Sequence, residues 1–416
     1  MTTKSRLILL SFFQFFVWGA WLITVGNYWF ITRHWDGQSF GAIFSTLGIS
    51  SIFMPAIVGI IADKWISAEK LYGALHILSA ICLMLLPETS SPSEFFQVML
   101  LAMIFYMPTI SLSNSIPYTI LKREGQDVVK VFPPIRVWGT IGFIAAMWVT
   151  NLTGNKASVN MFYIASATGF ALGLYSFTLP KCAPPKLISE NTSLSEKLGL
   201  NAFKLFADYK MAIFFAFSML LGGALQLSNM YGDVFLTEFE KIPKYADSIA
   251  VKYSTLVISI SQVSETIFIL AIPFFLKRFG IKKVMLISMF AWVFRFAFFA
   301  YGNPGDGFAL IIISCVVYGM AFDFFNISGS LFVESSTDSK IRSSAQGLFM
   351  MMTNGFGAIL GSILSGWMIQ TFFITENGKN WQGIWLSFAA YTLVIAIAFW
   401  IMFGMNKEKE ESLQIG

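Results

Sequence analysis

Long apolar runs alternate with short polar stretches along almost the whole chain, from Leu7 to Trp400. Crossing the hydrocarbon core of a bilayer takes about 20 apolar residues in helical form. On that scale the pattern predicts twelve helices, over 7–30, 40–62, 71–87, 94–120, 135–152, 158–180, 211–236, 251–276, 281–302, 307–333, 342–373 and 382–404. Several exceed the span length, which predicts tilt or extension beyond the bilayer. The first run is too long for a signal-peptide core and lacks a small-residue cleavage site, so it reads as a mature helix. The one long polar interruption is KCAPPKLISENTSLSEKLGLNAFKLFADYK, 181–210. It predicts an N-terminal six-helix bundle over 1–180, a cytoplasmic linker over 181–210, and a C-terminal six-helix bundle with a short tail over 211–416. The fold class expected is therefore an all-α integral membrane protein with 12 transmembrane helices.

Composition agrees with lipid as the solvent. The chain is 56% hydrophobic and 12% charged, against about 25% charged in soluble proteins. With the N-terminus inside, 20 Lys and Arg fall in cytoplasmic segments and six in external loops. That bias places both termini in the cytoplasm. It also accounts for the net charge of +5 without nucleic acid as a partner. Cys82, Cys182 and Cys315 are widely separated, and His34 and His76 cannot make a zinc site between them. No P-loop, dinucleotide fingerprint or zinc-protease motif is present, so no metal or cofactor is expected. Two basic loops, GIIADKWISAEK from Gly59 and LKRFGIKKVM from Leu276, lie 214 residues apart when Lys64 is set against Arg278. Repeated halves mark many transporters, with substrate bound near the midplane between them. Both loops resemble the short basic loop motif of the major facilitator superfamily. The first keeps Gly59, Asp63 and Lys64 but lacks the second glycine and the basic pair. The second keeps Arg278, Gly280, Lys282 and Lys283 but has Lys277 in place of the aspartate.

Polar residues inside the spans carry the functional signal, because ionisable groups in hydrocarbon are costly and rarely idle. Asp323 sits near the middle of CVVYGMAFDFFNISGSLFVE, with Asn326 at i+3 on its face and Tyr318 and Phe322 on an adjacent stripe. It reads as a ligand-binding or proton-carrying carboxylate, or as a structural one paired with an Arg such as Arg295. Glu265 lies in VISISQVSETIFILAIPFF, three residues after Gln262. It suits a proton-coupling site or an interhelical hydrogen bond. Gln226 and Asn229, in GGALQLSNMYGD, share a face, and each amide both donates and accepts. They fit a hydroxyl-rich or nucleobase ligand, or helix–helix contact. Asp233, one turn on, is expected near the outer surface. In FPPIRVWGTIGF the stripe Arg136, Thr140, Phe143 follows helical spacing. Arg136 reads either as a ligand donor or as snorkelling to headgroups. Trp18 and Trp21 are candidates for ring stacking, with core packing the commoner fate of such residues, and Trp29 for an interfacial anchor. Gly357, Gly361 and Ser365, spaced every fourth residue, predict close helix packing. Amides, aromatics and a few carboxylates, without a dense cationic lining, favour a neutral or weakly charged polar molecule with a flat ring.

Several long stretches carry a family resemblance. FPPIRVWGTIGFIAAMWV, KMAIFFAFSMLLGGALQLSNMYG, SISQVSETIFILAIPFFLKRFGIK and VVYGMAFDFFNISGSLFVE resemble the bacterial permeases of the nucleoside–proton symporter family. SSAQGLFMMMTNGFGAILGSILSG and LSFFQFFVWGAWLITVGNYWF do so as well. The resemblance covers essentially the whole chain, more weakly in 181–210 and the tail. It implies a major facilitator fold and proton-driven import of purine and pyrimidine nucleosides across a bacterial inner membrane by alternating access. It also implies a site built from Arg136, Thr140, Phe143, Gln226, Asn229, Gln262, Glu265, Tyr318, Phe322 and Asp323, with Glu265 or Asp323 carrying the proton. The partners expected are nucleoside, protons and the lipid bilayer, and the protein is expected to be a monomer. The alternative within transport is a symporter for another polar solute such as a sugar. An enzyme would need a nucleophile, a metal set or a positioned acid pair, and a sensor would need a soluble domain. Beyond Glu265 and Asp323 no such set is recognisable.

Overall fold

The computed structural model describes residues 2–184, 200–338, 341–376 and 378–403. Most of the expected linker (185–199) and of the tail (404–416) lies outside them. The chain forms two compact units, Met1–Leu198 and Gly199–Gly416.

The first unit contains α1 (Thr3–Gly19), α2 (Gly37–Lys64), α3 (Ala68–Leu85), α4 (Pro92–Arg123), α5 (Val128–Leu152) and α6 (Asn160–Ser176). The helix starts follow local chemistry. Thr2, Asp36 and Ser91 accept from the backbone N–H three residues on, satisfying donors the helix itself leaves open. Pro92 occupies the first turn of α4, where its missing N–H costs nothing. The expected helix over 7–30 is interrupted. It ends at Gly19, turns, and resumes as a single turn at Val25–Asn27 and a π-turn at Tyr28–Thr32. The Thr24 hydroxyl takes the Trp21 carbonyl, a local bond that competes with the helical ladder. Trp29 is consequently not an interfacial anchor. It is fully buried against Trp35, Phe40 and Phe95, and its Nε1 donates to the Asp36 carbonyl at 2.8 Å.

A buried polar network holds three helices of this unit together. Gln14 of α1 donates to Thr109 of α4 at 3.0 Å. Its Oε1 accepts from Tyr72 and His76 of α3, at 2.6 and 2.9 Å. Tyr106 of α4 donates to the Gln14 carbonyl at 2.7 Å. Where lipid offers no hydrophobic drive between helices, such bonds and close packing supply the adhesion.

The second unit contains α7 (Tyr209–Glu238), α8 (Ser254–Tyr301), α9 (Phe308–Ser336), α10 (Arg342–Met350), α11 (Ala358–Phe372) and α12 (Trp381–Met402). The spans expected at 251–276 and 281–302 are the two arms of α8. It turns at Gly280 (φ 75°, ψ 166°), a left-handed backbone that glycine alone adopts cheaply. The expected helix over 342–373 widens into a π-turn at Met351–Gly357 between α10 and α11. There the α7 backbone comes so close that a Cβ on Gly222 would lie 1.9 Å from the Thr353 carbonyl oxygen. Gly357 and Gly361 meet α7 in the same way, at Met219 and Gly223, as their spacing predicted. A short hairpin of β1 (Ile374–Thr375) and β2 (Gly378–Lys379) precedes α12. Its Lys379 pairs with Glu238 at the end of α7, and Trp381 donates to the same carboxylate at 2.8 Å. Burial lowers the Lys379 pKa below the ordinary lysine value, and Glu238 opposes that shift.

Among the described residues, nine helices are long and apolar enough to cross a membrane.

Candidate functional site

The expected site residues fall into two groups, one in each unit. In the first unit, Arg136, Thr140 and Phe143 form a half-buried stripe on α5. Two glycines set that stripe against α1. A Cβ on Gly142 would lie 2.1 Å from the Phe12 carbonyl oxygen, and one on Gly19 would lie 2.5 Å from that of Phe143. The Arg136 guanidinium folds over the Phe15 ring, with Cζ 4.1 Å from its centroid. It fits there because Gly139 has no side chain in its path. Trp18 meets Phe143 edge-on and reaches Tyr106. Its indole Nε1 is buried with no hydrogen-bond partner among the described residues, which adds an open donor to this face. Trp21, by contrast, is core.

In the second unit three helices contribute. Gln226 and Asn229 lie on α7, Gln262 and Glu265 on the first arm of α8, and Tyr318, Phe322 and Asp323 on α9. Gln226, Gln262, Tyr318 and Asp323 are buried, while Asn229, Glu265 and Phe322 are partly open. The side-chain amide oxygens (Oε1) of Gln226 and Gln262 are buried and accept no hydrogen bond among the described residues. An amide buried in this condition forfeits about 1–3 kcal/mol, so two on adjoining helices mark a place that a ligand can satisfy. The α8 and α9 backbones touch at Gly319, where a Cβ would lie 2.6 Å from Ser264. The Ser264 hydroxyl donates to the Val316 carbonyl across the same gap. Glu265 and Asp323 both lie within electrostatic reach of the Tyr318 hydroxyl. Asp233 is fully buried and accepts from Thr255 at 3.1 Å.

Arg295, on the second arm of α8, is the partner named in the structural alternative for Asp323, and its contacts lie elsewhere. It is buried, and its hydrogen bonds go to Ser228, Ser261 and the Ser314 carbonyl. The sequence carried a signal for it, an arginine deep in FAWVFRFAFF. Its serine partners carried none, since serines in spanning helices commonly bond their own backbone.

These groups are uncharged amides, aromatic rings, one threonine hydroxyl, one arginine and two carboxylates, with no cluster of three or more metal-ligating side chains among the described residues. The sequence pattern of the family described as nucleoside H+ symporter matches residues 1–408. The chain belongs to that family. Nucleoside H+ symporters are transporters, not enzymes, and this one has close relatives. It is 51% identical to nucleoside permease NupG of Escherichia coli strain K12, over 97% of this chain and 96% of that one. It is also 51% identical to the xanthosine permease of the same organism, over 99% and 98%. A crystal structure of nucleoside transporter NupG superimposes with a TM-score of 0.91 at 50% identity, covering 98% of this chain and all of that one.

Proposed function

We propose that this nucleoside H+ symporter imports purine and pyrimidine nucleosides across a bacterial inner membrane, driven by the proton gradient and cycling by alternating access. No further cofactor takes part. The layout proposed is that of the major facilitator superfamily, with twelve spans in two six-helix bundles over 1–180 and 211–416 and a cytoplasmic linker between them. Both termini face the cytoplasm and the protein acts as a monomer. Three features support the count of spans. Among the described residues nine helices qualify by length and composition, α8 turns at Gly280 into two arms, and α1 and α6 have 17 residues each.

The observation that carries the reading of the site is the pair of buried amide oxygens on Gln226 and Gln262, in the unit that also holds Tyr318, Glu265 and Asp323. A nucleoside presents donors to such acceptors, through exocyclic or ring N–H groups and ribose hydroxyls, and a flat ring to Tyr318 and Phe322. Asn229 completes this group. Arg136, Thr140 and Phe143 are the proposed contacts from the first unit. Asp323 accepts from ribose or base, and Glu265 or Asp323 takes the coupled proton. A proton on one carboxylate changes substrate affinity between the outward-open and inward-open states, and that difference is what cycling requires.

Equilibrium binding of labelled uridine to the purified protein tests this reading. Adenosine and xanthosine are expected to displace it, and glucose and xylose are not. Gln226→Leu and Gln262→Leu are each expected to weaken binding about tenfold, the effect of one lost hydrogen bond at a buried site. Displacement by sugars, or unchanged affinity in both variants, would contradict it.

A further inference from the structure

We infer that Arg295 is a positioning residue for nucleoside recognition, joining the three substrate-facing helices of the second unit through a single guanidinium. The inference rests on the nucleoside reading above. Arg295 is 1% exposed, and among the described residues no carboxylate lies within ion-pairing distance of it. A desolvated charge with neutral partners costs several kcal/mol, and an apolar side chain of similar volume would commonly serve stability as well or better. Its partners indicate what it does instead. Nε and Nη2 donate to the Ser228 hydroxyl at 3.0 and 2.6 Å. Nη1 donates to the Ser261 hydroxyl at 3.2 Å and to the Ser314 carbonyl at 3.0 Å. The Ser314 hydroxyl returns a bond to the Arg295 carbonyl at 2.8 Å. The guanidinium also lies against the Tyr318 ring, with Cζ 4.4 Å from the centroid.

Each anchor adjoins a substrate contact. Ser228 precedes Asn229 and follows Gln226 by two residues on α7. Ser261 immediately precedes Gln262 on α8, and Ser314 lies one turn before Tyr318 on α9. A planar fork with fixed donor directions fixes the rotation of all three helices together, which a flexible ammonium cannot do. The amide oxygens of Gln226 and Gln262 and the ring of Tyr318 are thereby set in place before substrate arrives, and ordering costs on binding are reduced.

The test uses the full-length protein in proteoliposomes, with uridine as the probe. Uridine KM and Vmax by counterflow, and the Tm of the purified protein, are measured for wild type, Ser228→Ala, Ser261→Ala, the double variant and Arg295→Lys. The serine variants remove one acceptor each and keep the guanidinium, so they remain informative if Arg295→Lys does not fold. The expected result is a KM raised about tenfold in Ser228→Ala, where two N–H groups lose their acceptor. Vmax stays within about twofold, and Ser228→Thr, which restores the hydroxyl, recovers most of the loss. A KM unchanged in both serine variants and the double variant would overturn the inference, whether or not Tm falls, because a purely structural role moves Tm alone. Wild type failing to exchange uridine would overturn the nucleoside reading instead, so the two failures are separable.

Discussion

At the residue scale, the site depends on side chains that are missing as much as on those present. Gly319 lets α9 lie against Ser264 of α8, and that approach keeps Glu265 within reach of Tyr318. Gly319→Ala would place a methyl group 2.6 Å from Ser264, and the helices would have to part. Overpacking of this kind costs about 1–3 kcal/mol, so the variant is expected to show a lowered Tm together with weakened uridine binding. Gly59→Ala, with nothing within 4 Å of the added carbon, is the control and should leave Tm unchanged or slightly raised, since alanine favours helix. An unaltered Tm in Gly319→Ala would mean that the contact is looser than described. Asp323 and Glu265 stood out in the sequence because a carboxylate in an apolar run is conspicuous. Arg295 was equally conspicuous, but its serine partners lie on other helices and nothing local encodes them. Trp29 misled for a related reason. An aromatic near a span end commonly faces headgroups, and only the fold reveals that Asp36 supplies its acceptor.

At the scale of elements, the long helices were readable because each residue of an apolar run reports its solvent independently. Their interruptions were less so. The turn after Gly19 and the π-turn at Met351–Gly357 lie where one helix presses on the backbone of another, at Phe143 and at Gly222. Such contacts leave no periodic trace, although glycines in both runs were a hint. The turn at Gly280 was visible because a basic loop with a glycine interrupts the apolar pattern there. It carries a prediction of its own. Gly280→Ala must hold an alanine at φ 75°, ψ 166°, at a cost of about 1–3 kcal/mol. The variant should melt at lower temperature than wild type, and an equal Tm would show that the arms can meet through another backbone geometry. The β1–β2 hairpin was not foreseen. Its two strands are two residues each, and what secures it is Lys379 meeting Glu238, a partner 141 residues away.

At the scale of the whole molecule, composition, the 20-to-6 split of basic residues and the run lengths all point to a membrane-spanning helical protein. The family follows from a match over residues 1–408. The proposed chemistry of transport rests on fewer groups: the two buried amide oxygens of Gln226 and Gln262, the ring of Tyr318, and the carboxylates of Glu265 and Asp323. A proton must alter substrate affinity for a gradient to drive uptake, and Glu265 and Asp323 are the groups proposed to take it. The most direct measurement is labelled uridine accumulation in proteoliposomes with the outside acidic, comparing wild type with Asp323→Asn and Glu265→Gln. The account predicts accumulation above equilibrium in wild type only while the pH gradient lasts. It also predicts loss of that accumulation in at least one variant that still performs uridine counterflow. Uridine uptake in wild type that ignores the gradient, or gradient-driven accumulation that survives in both variants, would contradict it.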